Sequence, residues 1–457
     1  MAFWNFFKNR IGLTILLSAF CSSFCSAIPK GEQNYILILN SYTESTPWSH
    51  IFTTPIYKQM TADDENINTY TENMDVMLME SEKDVDDFAT YLSEKYTGHA
   101  PRLIILLGNS AYVLLKDKLA ERWGTQVPLL ACVEKEYVAP RAYYLSKQAC
   151  PEAKRQNFTD ILKTQRNLTV IHVPEYISET ISLMKKLKPD MNRLLFLADE
   201  RYISAQNKNS VQKVMQEKFP NVKLELLTAG ETSTDDLINI LQYTDNRTGV
   251  LYYSWILLKE QGNRTILSSD TYRMLSSYTE APVFTLNDMD IVENGMAGGY
   301  FYPASNISHT LLDAMYGLLQ GRTYNTLLTP EQPHPVLNYP VMKNKNILPL
   351  SPSPDTVFYM KPPSFWEQYR NYLYAASGLA LFFVFLIFSR LNALNKKRLY
   401  QEKEIAFMRN HSRLINSMPI CYMKQQMIFN EQGYPVDYVV LEANAALETQ
   451  LQGKKIT

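Results

Sequence analysis

Polar and aromatic side chains follow several apolar segments of this sequence, at the points where strands of a parallel sheet would end. They are Ser41, Tyr42, Trp48, Asn109, Ser110, Glu134, Asp199, Tyr202, Ser254, Trp255, Asn287 and Asp288. A cleft for a small molecule needs aromatic walls and a few well-placed polar groups, and the helix start after Gly108 would offer backbone N–H groups to an anion. We therefore predict that these residues contact a small ligand. Asn109 and Ser110 would alternatively cap a helix, and the two tryptophans would fill a domain interface.

Patterns that would indicate catalysis or metal binding are scarce. The sequence contains no GxSxG, HExxH or CxxC motif and no glycine-rich phosphate loop. The six histidines are scattered, and His411 lies in MRNHSRLI, which lacks the pattern of a phosphoacceptor histidine. We predict no cofactor, no metal and no phosphoryl transfer by this chain. An outer-domain enzyme that uses paired carboxylates such as Asp199 or Asp288 is an alternative.

Alternating strands and helices must position these residues. Short apolar runs at residues 35–40, 103–107 and 127–132 are typical of strands buried in a parallel sheet, with a more polar strand at 68–77. After a crossover strand at 168–173 the pattern restarts. The second set of predicted strands is at residues 194–198, 222–227, 249–254 and 282–286. This alternation predicts an α/β fold with parallel sheets and right-handed crossovers.

Two α/β halves of similar size predict two lobes with a cleft outside the carboxyl ends of their strands. We place this outer domain at residues 28–345. Its first lobe takes residues 33–160 and 291–345, and its second lobe takes residues 161–290. The near-zero net charge of the chain, −1, indicates no nucleic-acid partner.

An apolar run without a charged residue, 373–388, follows the outer domain. At ~1.5 Å per residue it covers about 24–27 Å, enough to cross the hydrocarbon core of a bilayer. Aromatic residues such as Trp366 precede the run and basic residues such as Arg390 follow it, which places the following segment in the cytoplasm. We predict one transmembrane helix at 372–389, in the inner membrane, with the N-terminal domain in the periplasm.

The N-terminus supports this orientation. Residues 1–27 have a basic start, an apolar stretch and the small-residue site Cys25-Ser26-Ala27, which is the pattern of a secretory signal peptide. An uncleaved anchor would leave the same outer compartment. In that compartment Cys132 and Cys150 would either form a disulfide or stay as two buried free thiols.

Three segments flank or follow the membrane helix. Residues 331–363 are rich in proline. We predict that part of this segment forms the last strand of the outer domain and part forms a spacer. We place the linker to the membrane helix at residues 346–371. Residues 390–416 predict a signalling helix whose heptad-like spacing favours a weak dimeric coiled coil, and hence a homodimer. Residues 417–457 predict two short strands joined by a turn and then the start of a helix.

The outer segment resembles the substrate-binding-protein-like family related to the periplasmic solute receptors of ABC transporters. The matching stretches are ILILNSYTESTPW, LIILLGNSAYVLL, VPLLACVEKEYV and GGYFYPASNISHTLLDAMYGLLQG, within residues 35–344. The resemblance implies a two-lobed, type I periplasmic-binding-protein-like receptor that closes on a small ligand. The strand-end residues named above are the corresponding ligand-binding positions.

The inner end, RLINSMPICYMKQQMIFNEQGYPVDYVVLEANAALETQLQGKK, looks like the start of a PAS domain, which is an α+β fold roughly twice as long. Met418-Pro419, the two strands and Asn444 carry this likeness. In this order the segments resemble the front of a membrane sensor histidine kinase of Bacteroides-type bacteria. The resemblance implies a two-component signal receptor whose kinase core or response regulator lies outside this chain. A membrane-tethered binding protein that serves an ABC-type transporter is the alternative.

Overall fold

The computed structural model describes residues 34–43, 46–62, 67–255, 275–288, 291–322 and 325–451. The predicted signal peptide, residues 1–27, lies outside the described residues. The chain divides into two compact units, Met1–Lys361 and Pro362–Thr457.

The first unit contains two sheets. In the first sheet the described strands all run parallel. Their spatial order is β13 (Leu327–Leu328), β7 (Leu168–His172), β4 (Leu129–Val133), β3 (Leu103–Leu107), β1 (Tyr35–Asn40) and β2 (Asn68–Asn73). The strands β1, β3, β4 and β7 are buried along their whole length. Burial on both faces explains why they are nearly continuous apolar runs.

Helices cover this sheet. They are α1 (Pro47–Ala62), α2 (Glu82–Lys95), α3 (Asn109–Trp123), α4 (Arg141–Leu145) and α5 (Phe158–Thr164). A capping box formed by Ser81 and Asp84 begins α2, and Val85 and Leu92 are its buried face. A short antiparallel pair, β5 (Tyr137–Val138) and β6 (Gln156–Asn157), lies between α3 and α5 in the sequence.

The second sheet is mainly parallel; within the described residues only the β12–β14 pair is antiparallel. The order is β15 (Val357–Tyr359), β14 (His334–Asn338), β12 (Gly298–Phe301), β11 (Val283–Thr285), β10 (Thr248–Tyr252), β8 (Arg193–Ala198) and β9 (Lys223–Thr228). The helices along this part of the chain are α6 (Ile177–Leu187), α7 (Tyr202–Lys218), α8 (Thr234–Gln242), α9 (Ala304–Leu319) and α10 (Tyr339–Asn344). The predicted α/β class with parallel sheets is confirmed.

The division of the chain between the two sheets differs from the predicted lobes. The predicted second lobe begins at residue 161, but β7 belongs to the first sheet, where it pairs with β4. The predicted first lobe includes 291–345, but β12 and β14 belong to the second sheet, while α9 packs on α1. The chain therefore changes lobe after β7, after β12 and again after β13. Apolar runs of equal length do not specify their pairing partner, so the sequence left this assignment open.

One further prediction is corrected in this unit, and one pair of open alternatives is decided. The predicted linker, residues 346–371, contains β15, which pairs with β14 and extends the second sheet. Cys132 and Cys150 are both buried and both have free thiols, so the second of the two predicted alternatives holds in this structure. Burial raises the pKa of the Cys132 thiol, which keeps it protonated.

The second unit begins with α11 (Phe365–Ser417), a helix of 53 residues that starts at a capping box formed by Ser364 and Glu367. The predicted span 372–389 and the predicted signalling helix 390–416 are parts of this one helix. Among the described residues it is the one helix long and apolar enough to cross a membrane.

An antiparallel hairpin, β16 (Met423–Phe429) and β17 (Pro435–Ala443), follows α11, and α12 (Ala445–Gln450) comes next. Buried Asn444 connects the helix end to the hairpin. Its amide donates to the carbonyl oxygens of Ile415 at 3.1 Å and Ile420 at 2.8 Å, and its oxygen accepts from the Tyr422 N–H at 2.9 Å. The predicted strands and turn are present, and the PAS identity stays a prediction.

Candidate ligand-binding cleft

Residues that follow strands of both sheets meet at one small cavity. Its lining is Tyr42, Thr46, Trp48, Glu134, Arg201, Tyr253, Ser254 and Asn287. The volume of about 20 Å³ compares with roughly 10–15 Å³ for one water-sized group. In this arrangement the cavity therefore has room for about one water-sized group.

Glu134 is the acidic group on the first-lobe side of this cavity. Its carboxylate accepts from the Tyr42 hydroxyl at 2.6 Å and from the Asn109 backbone N–H at 3.1 Å. The side chain is buried, and burial raises the pKa of Glu134 above its usual value although both hydrogen bonds oppose this shift. Within the described residues this carboxylate forms no direct ion pair, although the charge of Arg201 acts on it across the cavity.

Arg201 is the basic group on the second-lobe side. Its Nε donates to Asp199 Oδ2 at 2.8 Å, and the same carboxylate accepts from Ser254 Oγ at 2.6 Å and from Ser204 Oγ. Both members of the ion pair are buried. Burial alone would lower the pKa of Arg201, but Asp199 and the other acidic groups around the guanidinium, Glu134 among them, together outweigh burial and the pKa is raised. Arg201 is therefore a fixed, permanent cation.

The two sides of the cleft touch through these groups. The Arg201 guanidinium lies 4.5 Å from the centre of the Tyr42 ring and 6.0 Å from that of Tyr253. Cation–π contact of this kind contributes about 0.5–2 kcal/mol, more where the groups are desolvated. Because Tyr42 follows β1 and Arg201 follows β8, this contact joins the lobes.

A second group of contacts crosses the cleft beside the cavity. The Lys135 ammonium forms a partly buried ion pair with Glu175 and donates to Asn207 Oδ1 at 2.6 Å. Nearby, Arg155 donates to Gln206 Oε1 at 2.9 Å. Sequence analysis missed these residues. Lys135 and Glu175 do follow β4 and β7 closely, which is the signal that would have found them.

Five of the predicted residues line the cavity, namely Tyr42, Trp48, Glu134, Ser254 and Asn287. Ser110 and Tyr202 line a second void of about 10 Å³ that also borders Tyr42 and Arg201. The structure brings these seven predicted residues together at the cleft.

The other five predicted residues have structural contacts instead. Ser41 Oγ donates to the Leu107 carbonyl at 2.6 Å and accepts from the Ala111 N–H at 2.8 Å, which fixes the start of α3. The Asn109 side chain binds the backbone of residues 134, 135 and 137. The predicted alternative that Asn109 caps a helix is wrong, because Gly108 is the N-cap of α3 and no side chain caps it. Asn109 instead holds the backbone that follows β4.

The last three predicted residues that do not line the cavity are Asp199, Trp255 and Asp288. Asp199 holds Arg201 in place, as described above, and Trp255 lies in the hydrophobic core beside the second sheet. Asp288 Oδ2 accepts from the Ala304 N–H at 2.9 Å and from the Tyr359 hydroxyl at 2.6 Å. None of the three borders the cavity, so they support the cleft without lining it.

Two cavity residues carry buried polar atoms without a hydrogen-bonding partner among the described residues. They are the Trp48 indole Nε1 and the Asn287 Oδ1. Most buried polar atoms in proteins are satisfied by protein groups or by ordered water, and these two atoms have hydrogen-bonding capacity left over. No group of His, Cys, Asp or Glu suited to a metal ion occurs within the described ranges.

Another cavity, of about 680 Å³, lies at the opposite, amino-terminal edge of the first sheet. Ile104, Leu129 and Thr169, near the starts of β3, β4 and β7, line it. It contains none of the predicted site residues. The predicted site residues therefore lie at the small cavity, whereas the larger cavity is lined by other polar and charged residues, such as Lys116, Arg166 and Arg322.

No protein-family model matches the chain, and no curated protein matches it. Similar solved structures include a conserved domain protein from Vibrio cholerae, with 12% identity over 71% of this chain and 100% of that chain and a TM-score of 0.48. The ABC domain from Streptococcus pneumoniae in complex with L-Trp has 11% identity over 71% of this chain and 100% of that chain, with a TM-score of 0.47.

A carbohydrate transporter solute-binding protein from Agrobacterium radiobacter, in complex with D-arabinose, has 12% identity over 69% of this chain and 98% of that chain, with a TM-score of 0.40. Identities and TM-scores of this size establish no shared function, so the description rests on strand order and contacts. The chain combines an α/β unit of two largely parallel sheets, a buried polar cleft between them, and an apolar helix long enough to cross a membrane.

Proposed function

We propose that this protein is a single-pass membrane receptor whose two lobes close on a small solute. The observation that carries the proposal is the cavity lined from both lobes, with Tyr42 and Glu134 on one side and Arg201 on the other. A solute there contacts both lobes only when they are closed. It therefore binds the closed arrangement more tightly and shifts the population toward it.

A structural connection from the cleft toward the membrane helix supports the signalling part. Asn287 lines the cavity, and the next residue, Asp288, binds the Tyr359 hydroxyl. Tyr359 ends β15, the last described strand before α11 begins at Phe365. Movement of the strand end at Asn287 would thus act on the segment that enters α11.

The inner segment would receive this movement. Asn444 binds the backbone at the end of α11, so a displaced helix end displaces the hairpin. We infer that the hairpin belongs to a PAS-like domain, that two copies associate through residues 390–416, and that a kinase core or response regulator responds. The basic residues after the span favour a cytoplasmic location for this end, and we infer that the cleft lies in the periplasm and that α11 crosses the inner membrane.

The alternatives are less well supported. A tethered binding protein for a transporter gives no reason for the Asn444 contacts between helix and hairpin. An enzyme based on Asp199 or Asp288 is disfavoured because neither carboxylate lines the cavity and both are engaged by neighbouring groups.

Solute binding and helix movement can be tested together on the full chain in lipid nanodiscs. The panel comprises free amino acids, sugars and nucleobases, and the first readout is the unfolding temperature. The second is disulfide crosslinking at Leu394→Cys in a Cys421→Ser background. We expect at least one solute to raise the unfolding temperature and to change the crosslinking rate. Stabilisation without any change in crosslinking would contradict the relay, and no stabilisation at all would contradict the receptor.

A further inference from the structure

The two sides of the cleft present groups of opposite charge. The first lobe contributes the buried carboxylate of Glu134, which has hydrogen-bond donors beside it but forms no ion pair within the described residues, although the Arg201 charge acts on it across the cavity. The second lobe contributes Arg201. Asp199 binds Arg201 through Nε, so this ion pair does not use the two terminal amino groups of the guanidinium. Arg201 can therefore still bind an anionic group through these two donors.

Two further polar atoms in the same cavity form a pair of one donor and one acceptor. Trp48 Nε1 is a donor and Asn287 Oδ1 is an acceptor, both buried and both without a hydrogen-bonding partner in the described part of the chain. An occupant that offers an acceptor to Trp48 and a donor to Asn287 removes the cost of leaving them unsatisfied.

We propose that the cleft binds a small zwitterion, a solute with an ammonium group and a carboxylate, such as a free α-amino acid. The ammonium pairs with Glu134 and donates to Asn287, and the carboxylate accepts from Arg201 and Trp48. This inference rests on the proposed receptor function and names the solute class. Because the ammonium meets the first lobe and the carboxylate meets Arg201 of the second, the solute bridges the lobes and favours closure.

Other solute classes fit these groups less well. A neutral sugar would hydrogen-bond to them but would leave Glu134 without a direct ion-pairing partner. An amine without a carboxylate would leave the Arg201 amino groups and the Trp48 N–H unused. A carboxylic acid without an amine would bring a second negative charge close to Glu134.

The test uses isothermal titration calorimetry on the full chain in nanodiscs. The probes are the proteinogenic L-amino acids. Each is compared with two truncated analogues, the amine that lacks its carboxylate and the acid that lacks its amine. D-glucose and adenine are also tested. We expect at least one amino acid to bind, and both of its truncated analogues to bind at least about tenfold more weakly, the size of a lost charge-assisted hydrogen bond.

Variants locate the effect in the cleft. Glu134→Gln removes the charge with little change of shape, and Trp48→Phe removes the N–H while it keeps an aromatic ring. Each should weaken binding of that amino acid, Glu134→Gln by about tenfold or more. The matched control is Glu72→Gln. Glu72 is another buried carboxylate, it accepts from the hydroxyls of Tyr91 and Tyr96, and it does not line the cavity. The Glu72→Gln control should bind that amino acid with wild-type affinity. If Glu134→Gln does not fold, the affinity of Trp48→Phe tests the proposal.

The outcomes separate this inference from the receptor proposal. Binding of D-glucose or adenine without binding of any amino acid would overturn the zwitterion and keep the receptor. Equal affinity for an amino acid and its amine analogue would also overturn the zwitterion, as would equal affinity for its acid analogue. Absence of binding by every probe, together with no stabilisation in the wider panel, would overturn both.

Discussion

The guanidinium of Arg201 lies 4.5 Å from the centre of the Tyr42 ring, although the two residues follow strands of different sheets. Tyr42 also donates to Glu134, and Arg201 is held by Asp199. This contact therefore links the acidic side of the cleft to its basic side. The lobes separate only if the Tyr42–Arg201 contact breaks.

Tyr42→Leu should favour the open arrangement of the lobes. The substitution removes a ring contact of about 0.5–2 kcal/mol with Arg201 and the hydroxyl that binds Glu134. We expect larger distances between spin labels on α2 and α8 in double electron–electron resonance. Tyr243→Leu is the control, because Tyr243 is 85% exposed. An unchanged distance distribution in Tyr42→Leu would show that this contact does not hold the lobes together.

Asp199→Asn should strongly destabilise the outer unit. The substitution leaves the buried Arg201 charge without a counter-ion, and breaking a buried ion pair typically costs about 3–5 kcal/mol. Urea unfolding followed by tryptophan fluorescence measures the loss. The exposed pair Asp245–Arg247, at 3.7 Å, provides the comparison: Asp245→Asn should cost no more than about 1 kcal/mol. Similar losses for both variants would contradict the described role of Asp199.

Glu134 should make stability depend on pH. Its folded pKa is raised above the usual 4.5 by burial, so the folded state binds this proton more tightly than the unfolded state does. Its favourable contribution is therefore complete below the unfolded pKa and is lost as pH rises through the folded pKa. In urea unfolding across a pH series, we expect the wild type to lose stability relative to Glu134→Gln as pH rises from the acidic range. A constant difference would refute the prediction.

Gly108→Ala should destabilise the start of α3 more than Gly124→Ala destabilises its end. Both glycines have positive φ, +93° and +80°, and each substitution carries the backbone cost, about 1–3 kcal/mol. At Gly108 the new Cβ would also lie 2.6 Å from Ser41 Oγ, whereas at Gly124 nothing lies within 4 Å. Thermal unfolding of the two variants compares them directly. Equal losses would mean that the Ser41 contact adjusts without cost.

Tyr359→Phe should separate solute binding from helix movement. It removes the 2.6 Å hydrogen bond to Asp288 and leaves the cavity lining intact. The expected result is unchanged solute affinity with a reduced solute effect on crosslinking at Leu394→Cys. Tyr57→Phe is a matched control, since its exposed hydroxyl binds Thr71, away from β15. A full crosslinking response in Tyr359→Phe would exclude this route.

The secondary structure was largely predictable because buried parallel strands are short apolar runs and amphipathic helices have a periodic apolar face. The runs around Ile104 and Leu195 show this well. The site was predictable only as a rule about strand ends, which correctly selected Tyr42 and Glu134. The same rule also selected Ser41 and Asp288, because a polar residue after a strand binds a ligand or a neighbouring backbone equally well.

The sequence by itself determined the α/β class, the apolar helix and the edge of the sheets at which polar groups gather, since all three follow from local residue patterns. Only the tertiary structure decided which strands share a sheet, that α9 returns to the first lobe, and that Arg201 lies on Tyr42 across the cleft. These features depend on hydrogen-bond partners and packing between residues far apart in the chain. Local periodicity contains no information about those partners.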